Sequence, residues 1–171
     1  MTETKLINIL KPVTNSITGL TALRYKINKG GLKLNSLNEI FLKQRNGFLA
    51  TVESGRPRIR PFEIQLFQDS PFQYYLCTAN TKEVYNQLKK NPFIEFSLAT
   101  PDRIILRISG KIRFDDDLLI KQRIIDTNEL VRSIYKTGDN PIFEIFYIEK
   151  GEASITFLDG RKPEFFQIKN Y

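Results

Sequence analysis

The sequence predicts a mostly β domain (α+β) of the antiparallel-barrel class, with six to seven strands, a short helix between two of them and a longer helix late in the chain. Three observations point there. Apolar and polar residues alternate almost strictly from Arg103 to Phe114. Tight-turn residues punctuate the short apolar runs that precede this segment. Phe and Tyr number 13 and 7, with no Trp, and aromatic and β-branched side chains suit a pleated, half-buried surface. Short turns between strands argue against a parallel βαβ sheet, whose crossovers are long.

The elements follow in order. Residues 1–34 read as an N-terminal arm or extension, interrupted by Pro12, Gly19 and Gly30-Gly31, with one short element such as Leu20 to Ile27. The barrel domain is expected over residues 35–171. Ser36 can cap a helix whose apolar side is Leu37, Ile40 and Phe41, and Gly47 is expected to end it. Phe48 to Glu53 reads as a strand, Ser54-Gly55-Arg56-Pro57 as a tight turn, and Ile59 to Phe67 as the hairpin's second strand. After the turn Asp69-Ser70-Pro71 comes an aromatic strand, Phe72 to Thr78, then a polar helix from Lys82 to Asn91, stopped by Pro92.

Ile94 to Ala99 is the next strand, with a turn at Thr100-Pro101-Asp102. Then comes the alternating segment, with Ile104, Leu106, Ile108, Gly110, Ile112 and Phe114 on one face. Asp115-Asp116-Asp117 could suggest a cation site, but acids immediately before LLIKQRIIDTNELVRSIY complement the positive end of a helix. Strands Ile142 to Ile148 and Ala153 to Leu158 follow, with a short addition at Phe165 to Ile168.

Composition limits the chemistry. Histidine is absent and Cys77 is the single cysteine, which excludes Ser-His-Asp and Cys-His catalysis, an internal disulfide, and His- or thiol-cluster metal sites. No run approaches a membrane span of about 20 apolar residues, and a reducing cytoplasm is the expected compartment. The net charge of +7 suits an anionic partner. Nucleic acid is not expected, because no aromatic-and-basic recognition motif accompanies that charge.

Two places could hold an anion. Arg58 and Arg60, two residues apart on one strand, project from the same face and could share a phosphate. Cys77-Thr78-Ala79-Asn80-Thr81-Lys82 runs from a strand end into a helix, where hydroxyls, free N–H groups and a lysine can cradle a phosphate. The alternatives are a solvated strand face for the first and an ordinary N-cap at Asn80 or Thr81 for the second. Neither a GxGxxG nor a P-loop motif is present.

The stretch GFLATVESGRPRIRPFEIQ, then YYLCTANTKEVYNQLKKNPFIEFS, Gly110-Lys111 and SIYKTGDNPIFEIFYIEKGEASITF, resembles the pyridoxamine 5′-phosphate oxidase-like FMN-binding split barrels, specifically small clostridial-type members. The resemblance spans roughly residues 36 to 158. It implies a homodimer with FMN held between subunits. Arg58, Ile59, Arg60, Pro61 and Phe62 would line the flavin and its phosphate, Cys77 and Thr78 would contact the flavin and ribityl chain, Thr81 and Lys82 would hold the phosphate, and Gln87 would be a further contact or a packing residue. The departures are equally informative. The Arg-x-His tail of the true oxidases is absent from GRKPEFFQIKNY, Ile105 stands where those enzymes keep a flavin-contacting Gln, and the His of the nitroimidazole-reductase branch is missing. Pyridoxamine 5′-phosphate oxidation is therefore not expected.

The resulting expectation is a flavoprotein that passes electrons or hydride between a reduced donor and a small molecule. The alternative is a non-catalytic carrier, storage or sensor protein for FMN, F420 or haem. Flavin carries its own redox chemistry, so few catalytic side chains are needed.

Overall fold

The computed structural model describes residues 36–70 and 72–169. The expected arm at 1–34, with its short element, lies outside them. The elements are α1 (Ser36–Lys43), β1 (Asn46–Glu53), β2 (Arg56–Glu63), β3 (Gln65–Leu66), β4 (Tyr74–Ala79), α2 (Glu83–Lys90), β5 (Phe93–Ala99), β6 (Ile104–Asp115), α3 (Leu118–Thr127), α4 (Glu129–Tyr135), β7 (Phe143–Phe157) and β8 (Glu164–Lys169).

All strand pairs are antiparallel, in the order β2-β1-β5-β6-β7-β4-β3. The long β7 is the spine. Along one side it pairs with β6; along the other its first half pairs with β4 and its second half with β8. That arrangement curls the sheet around a core of Leu49, Phe96, Leu106, Ile108, Phe146 and Ile155, all fully buried, with Leu37 and Phe41 of α1 packed into it. The opposite face of β4 and β7 carries Tyr75, Phe143, Ile145 and Tyr147. These residues share a second core with Ile124, Ile125, Val131 and Tyr135 from α3 and α4. The alternation read along β6 is the burial pattern observed: Leu106, Ile108 and Ile112 face inward, while Arg107, Ser109 and Arg113 face out.

The hairpin closes as its turn chemistry demands. Ser54 and Gly55 have φ of 50° and 74°, the positive pair that matches strand twist in a two-residue turn. The second strand therefore begins at Arg56, inside the expected four-residue turn, and it ends at Glu63 rather than Phe67, with Gln65–Leu66 a separate strand paired to β4.

Three other elements differ from the sequence reading. Gly47 does not end α1, which stops at Lys43; it sits inside β1, where a Cβ would stand 2.5 Å from the Phe96 ring. The late helix is two helices, because the backbone of Asn128 is extended. Its side chain accepts from the Val131 N–H at 3.0 Å and donates to Glu63 at 2.8 Å, so a polar cap interrupts the periodic apolar pattern. The two strands expected across 142–158 are one, because Gly110 and Gly151 let β6 and β7 approach past a bulge at Lys111/Ile112. The acidic run behaves as a cap. Asp117 accepts from the Leu119 and Ile120 N–H groups, and Asp115 accepts the Tyr75 hydroxyl at 2.9 Å.

Candidate functional site

The β1–β2 hairpin has one polar face, turned toward α2. Register places Leu49 opposite Arg60 and Thr51 opposite Arg58, and cross-strand partners share a face. Arg60 donates to the Thr51 hydroxyl at 2.7 Å and to the Gln87 side-chain oxygen at 2.8 Å. Thr51 donates to that same oxygen at 2.6 Å. Gln87 then donates to Glu53 at 3.3 Å, and Glu53 pairs with Arg58 at 2.7 Å. The four carboxylate, amide and guanidinium groups form one chain across three elements.

Electrostatics follow from that chain. Hydrogen bonds from Gln87 and Arg58 hold the Glu53 carboxyl below its ordinary range. Burial, then the neighbouring Arg58, disfavour the charged form of Arg60, while Glu53 favours it. The two guanidiniums are thus linked through Glu53 and Gln87, with one carboxylate for two positive charges.

The second place lies at the start of α2. Lys82 is the N-cap residue, with extended backbone and no side-chain cap bond. Neither Asn80 nor Thr81 is therefore the cap residue, and the Asn80 side chain donates to Pro141 and Glu144. Thr78, 2% exposed, has a buried hydroxyl with no hydrogen-bond partner among the described residues. On the opposite face of β4, the Cys77 thiol is pushed up to about 12, first by burial and then by the nearby Glu63, with Lys82 opposing. Lys82 follows Cys77 across the turn from β4 into α2, where its backbone N–H donates to the Ala79 carbonyl at 3.0 Å.

The structure brings the predicted residues together unevenly. Arg58, Arg60 and Gln87 share one network, and Cys77 and Lys82 form another neighbourhood at the helix start. Thr81 is exposed at the same turn. Phe62 is half-buried and meets Phe146 edge-on at 6.1 Å. Ile59, 70% exposed, and Pro61 alternate onto the other face of β2, away from the arginines. Sequence reasoning missed Thr51 and Glu53. The one signal that could have found them was the two-residue turn, which sets the register that places both on the arginine face. A larger groove of about 990 Å³, lined by Phe93, Ser109, Lys111, Lys150, Gln167 and Lys169, contains none of the predicted residues.

No family model matches the sequence, and neither does any curated protein. Solved structures do match. A NimC/NimA family protein from Clostridium acetobutylicum has a TM-score of 0.69 at 26% identity, over 77% of this chain and 90% of that one. A pyridoxamine 5′-phosphate oxidase-related, FMN-binding protein from Nostoc punctiforme gives 0.55 at 16% identity, over 73% of this chain and 88% of that one. The fold is that of the pyridoxamine 5′-phosphate oxidase-like split barrels. A heme-binding protein from Mycobacterium smegmatis shares it as well, with a TM-score of 0.61 at 16% identity over 75% of this chain and 55% of that one. Structures of this fold thus include one described as FMN-binding and one described as heme-binding.

Proposed function

We propose that this split barrel is an FMN-binding flavoprotein, working as a homodimer and passing electrons or hydride between a reduced donor and a small molecule. The carrying observation is a pair of polar places, one bonded to α2 through Gln87 and one at the start of α2, whose groups suit a phosphate and its polar tether. Arg60 is oriented by Gln87, Lys82 stands at an uncapped helix start, and the buried Thr78 hydroxyl lacks a partner. A buried hydroxyl without a bond costs about 1–3 kcal/mol, and a ligand oxygen or N–H would recover it. The residues fit FMN in kind: cations and helix N–H groups for phosphate, Thr78 for the ribityl chain or ring edge.

Bound there, FMN would supply two-electron chemistry, so the chain's own groups need only bind it, orient it and exclude water. Haem suits this chain less. Its axial ligands come from His, Cys, Met or Tyr; there is no His, the Cys77 thiol is held far from thiolate, and burial holds the Tyr74, Tyr75 and Tyr135 hydroxyls protonated. The absent Arg-x-His tail argues against pyridoxamine 5′-phosphate as substrate. A single cysteine suits the reducing cytoplasm.

The dimer reading rests on the outer face of the hairpin. Phe48 is 54% exposed and Ile59 70%, and Val52, Pro57 and Pro61 are exposed with them. A second copy covering this patch would remove from water an apolar surface that a monomer leaves open.

An absorbance spectrum of the purified protein, with and without added FMN, tests the reading. A flavin spectrum that stays with the protein through gel filtration supports it; a protein that retains no flavin refutes it. Oxidation of NADH or NADPH by the loaded protein then separates an oxidoreductase from a carrier or sensor.

A further inference from the structure

Gln87 is 4% exposed, yet it lies on a helix whose neighbouring positions Asn86, Lys89 and Lys90 are open to solvent. An amide buried this deeply needs its polar atoms satisfied, and here they are. Its oxygen accepts from Arg60 at 2.8 Å and from Thr51 at 2.6 Å, and its nitrogen donates to Glu53. Arg60 in turn donates to Thr51 at 2.7 Å, which closes a triangle of three side chains from β1, β2 and α2. Every group in the triangle has its donor or acceptor role fixed by the other two.

That closure has a consequence for Arg60. A guanidinium has five N–H donors in a rigid fork. Three contacts use its terminal nitrogens: Nη1 donates to Thr51 and, more weakly at 3.4 Å, to the Leu49 carbonyl, and Nη2 donates to Gln87. The remaining donors are left for a ligand, on a side chain that has already lost its rotamer freedom. Holding a long side chain in its bound geometry lowers the entropy lost on binding. Gln87 is neutral, so it orients the arginine without neutralising it, as a carboxylate in its place would.

We infer that Gln87, with Thr51, is a positioning residue that presents Arg60 to the phosphate of the cofactor, rather than a contact of the cofactor itself. The inference rests on the FMN reading above. It places the discrimination between phosphorylated and unphosphorylated flavin partly in two residues that touch no ligand.

The experiment titrates FMN and riboflavin into the wild-type protein, Gln87→Met, Arg60→Met and the double variant, following flavin fluorescence. Gln87→Met is expected to weaken FMN about tenfold while leaving riboflavin nearly unchanged, and to cost nothing further in the Arg60→Met background, since coupled residues are non-additive. Should Gln87→Met fail to fold, Thr51→Val opens the same triangle and carries the same expectation. Equal weakening of both flavins, or losses that add in the double variant, would overturn the positioning role while leaving FMN binding intact. A wild-type protein that binds neither flavin overturns the cofactor reading, and the inference with it.

Discussion

The two faces of the β1–β2 hairpin are built from alternate residues of the same two eight-residue strands, yet they solve opposite problems. The inner face, Thr51, Glu53, Arg58 and Arg60, is charged and internally satisfied through Gln87. The outer face, Phe48, Val52, Ile59 and the two prolines, is apolar and has nothing over it among the described residues. A strand with period two can present both sets without conflict. The contrast shows one hairpin presenting a charged face and an apolar one, to which the proposed function assigns an anion on one side and a second copy of the chain on the other.

The largest effect should come from breaking the apolar face. Ile59→Asp changes two symmetry-related positions in a twofold dimer at once. A central apolar contact contributes roughly 2 kcal/mol or more, so the dissociation constant should rise by at least about 30-fold. Light scattering at micromolar concentration would show monomers for the variant and dimers for the wild type. A monomeric wild type would remove the second partner from the account.

Next comes the polar side. Lys82→Ala deletes a charge-assisted contact of about 1.5–3 kcal/mol, or roughly 10- to 150-fold in affinity, for FMN but not for riboflavin. Stability should not change, since Lys82 is exposed; equal losses for both flavins would misplace the phosphate.

Thr78→Val tests the orphan hydroxyl, and its two signs differ. Without ligand, the isosteric change should stabilise the protein by about 1 kcal/mol, raising its melting temperature by roughly 2–4 °C. With FMN present that gain should shrink or reverse. A variant less stable than wild type without ligand would show that the hydroxyl is satisfied in the free protein.

The smallest effect is acid sensitivity of the inner face. Glu53 titrates below its ordinary 4.5 when folded. Its contribution is therefore fully present above that value and lost as pH falls through the lower folded pKa. Glu53→Gln should flatten this part of the stability–pH profile below about pH 4.5; an unchanged acid limb would mean that Glu53 adds nothing.

Much of this contrast was legible in the sequence. Strand alternation gave Arg58 and Arg60 one face, and the turn residues gave the hairpin. What was not legible depended on which strand lies next to which. Thr51 and Glu53 carry no motif of their own, and they join the site only through register with β2 and the packing of α2. Gln87 looked like either a contact or a packing residue, because its three partners lie 27 to 36 positions away. Asn128 was invisible for a related reason: a polar residue inside an apolar period reads as a solvated position until its bond to Glu63 is seen. The resemblance to the split barrels supplied the residues' candidate roles, and the structure supplied their neighbours.

The most direct test is the affinity of the wild-type protein for FMN against riboflavin, measured in the same buffer. The two ligands differ only in the phosphate that the proposed function assigns to the inner face. With Arg60 held by Gln87 and Lys82 at the helix start, FMN should bind at least about tenfold more tightly, the equivalent of one charge-assisted bond. Equal affinities would contradict the assignment of this face to a phosphate.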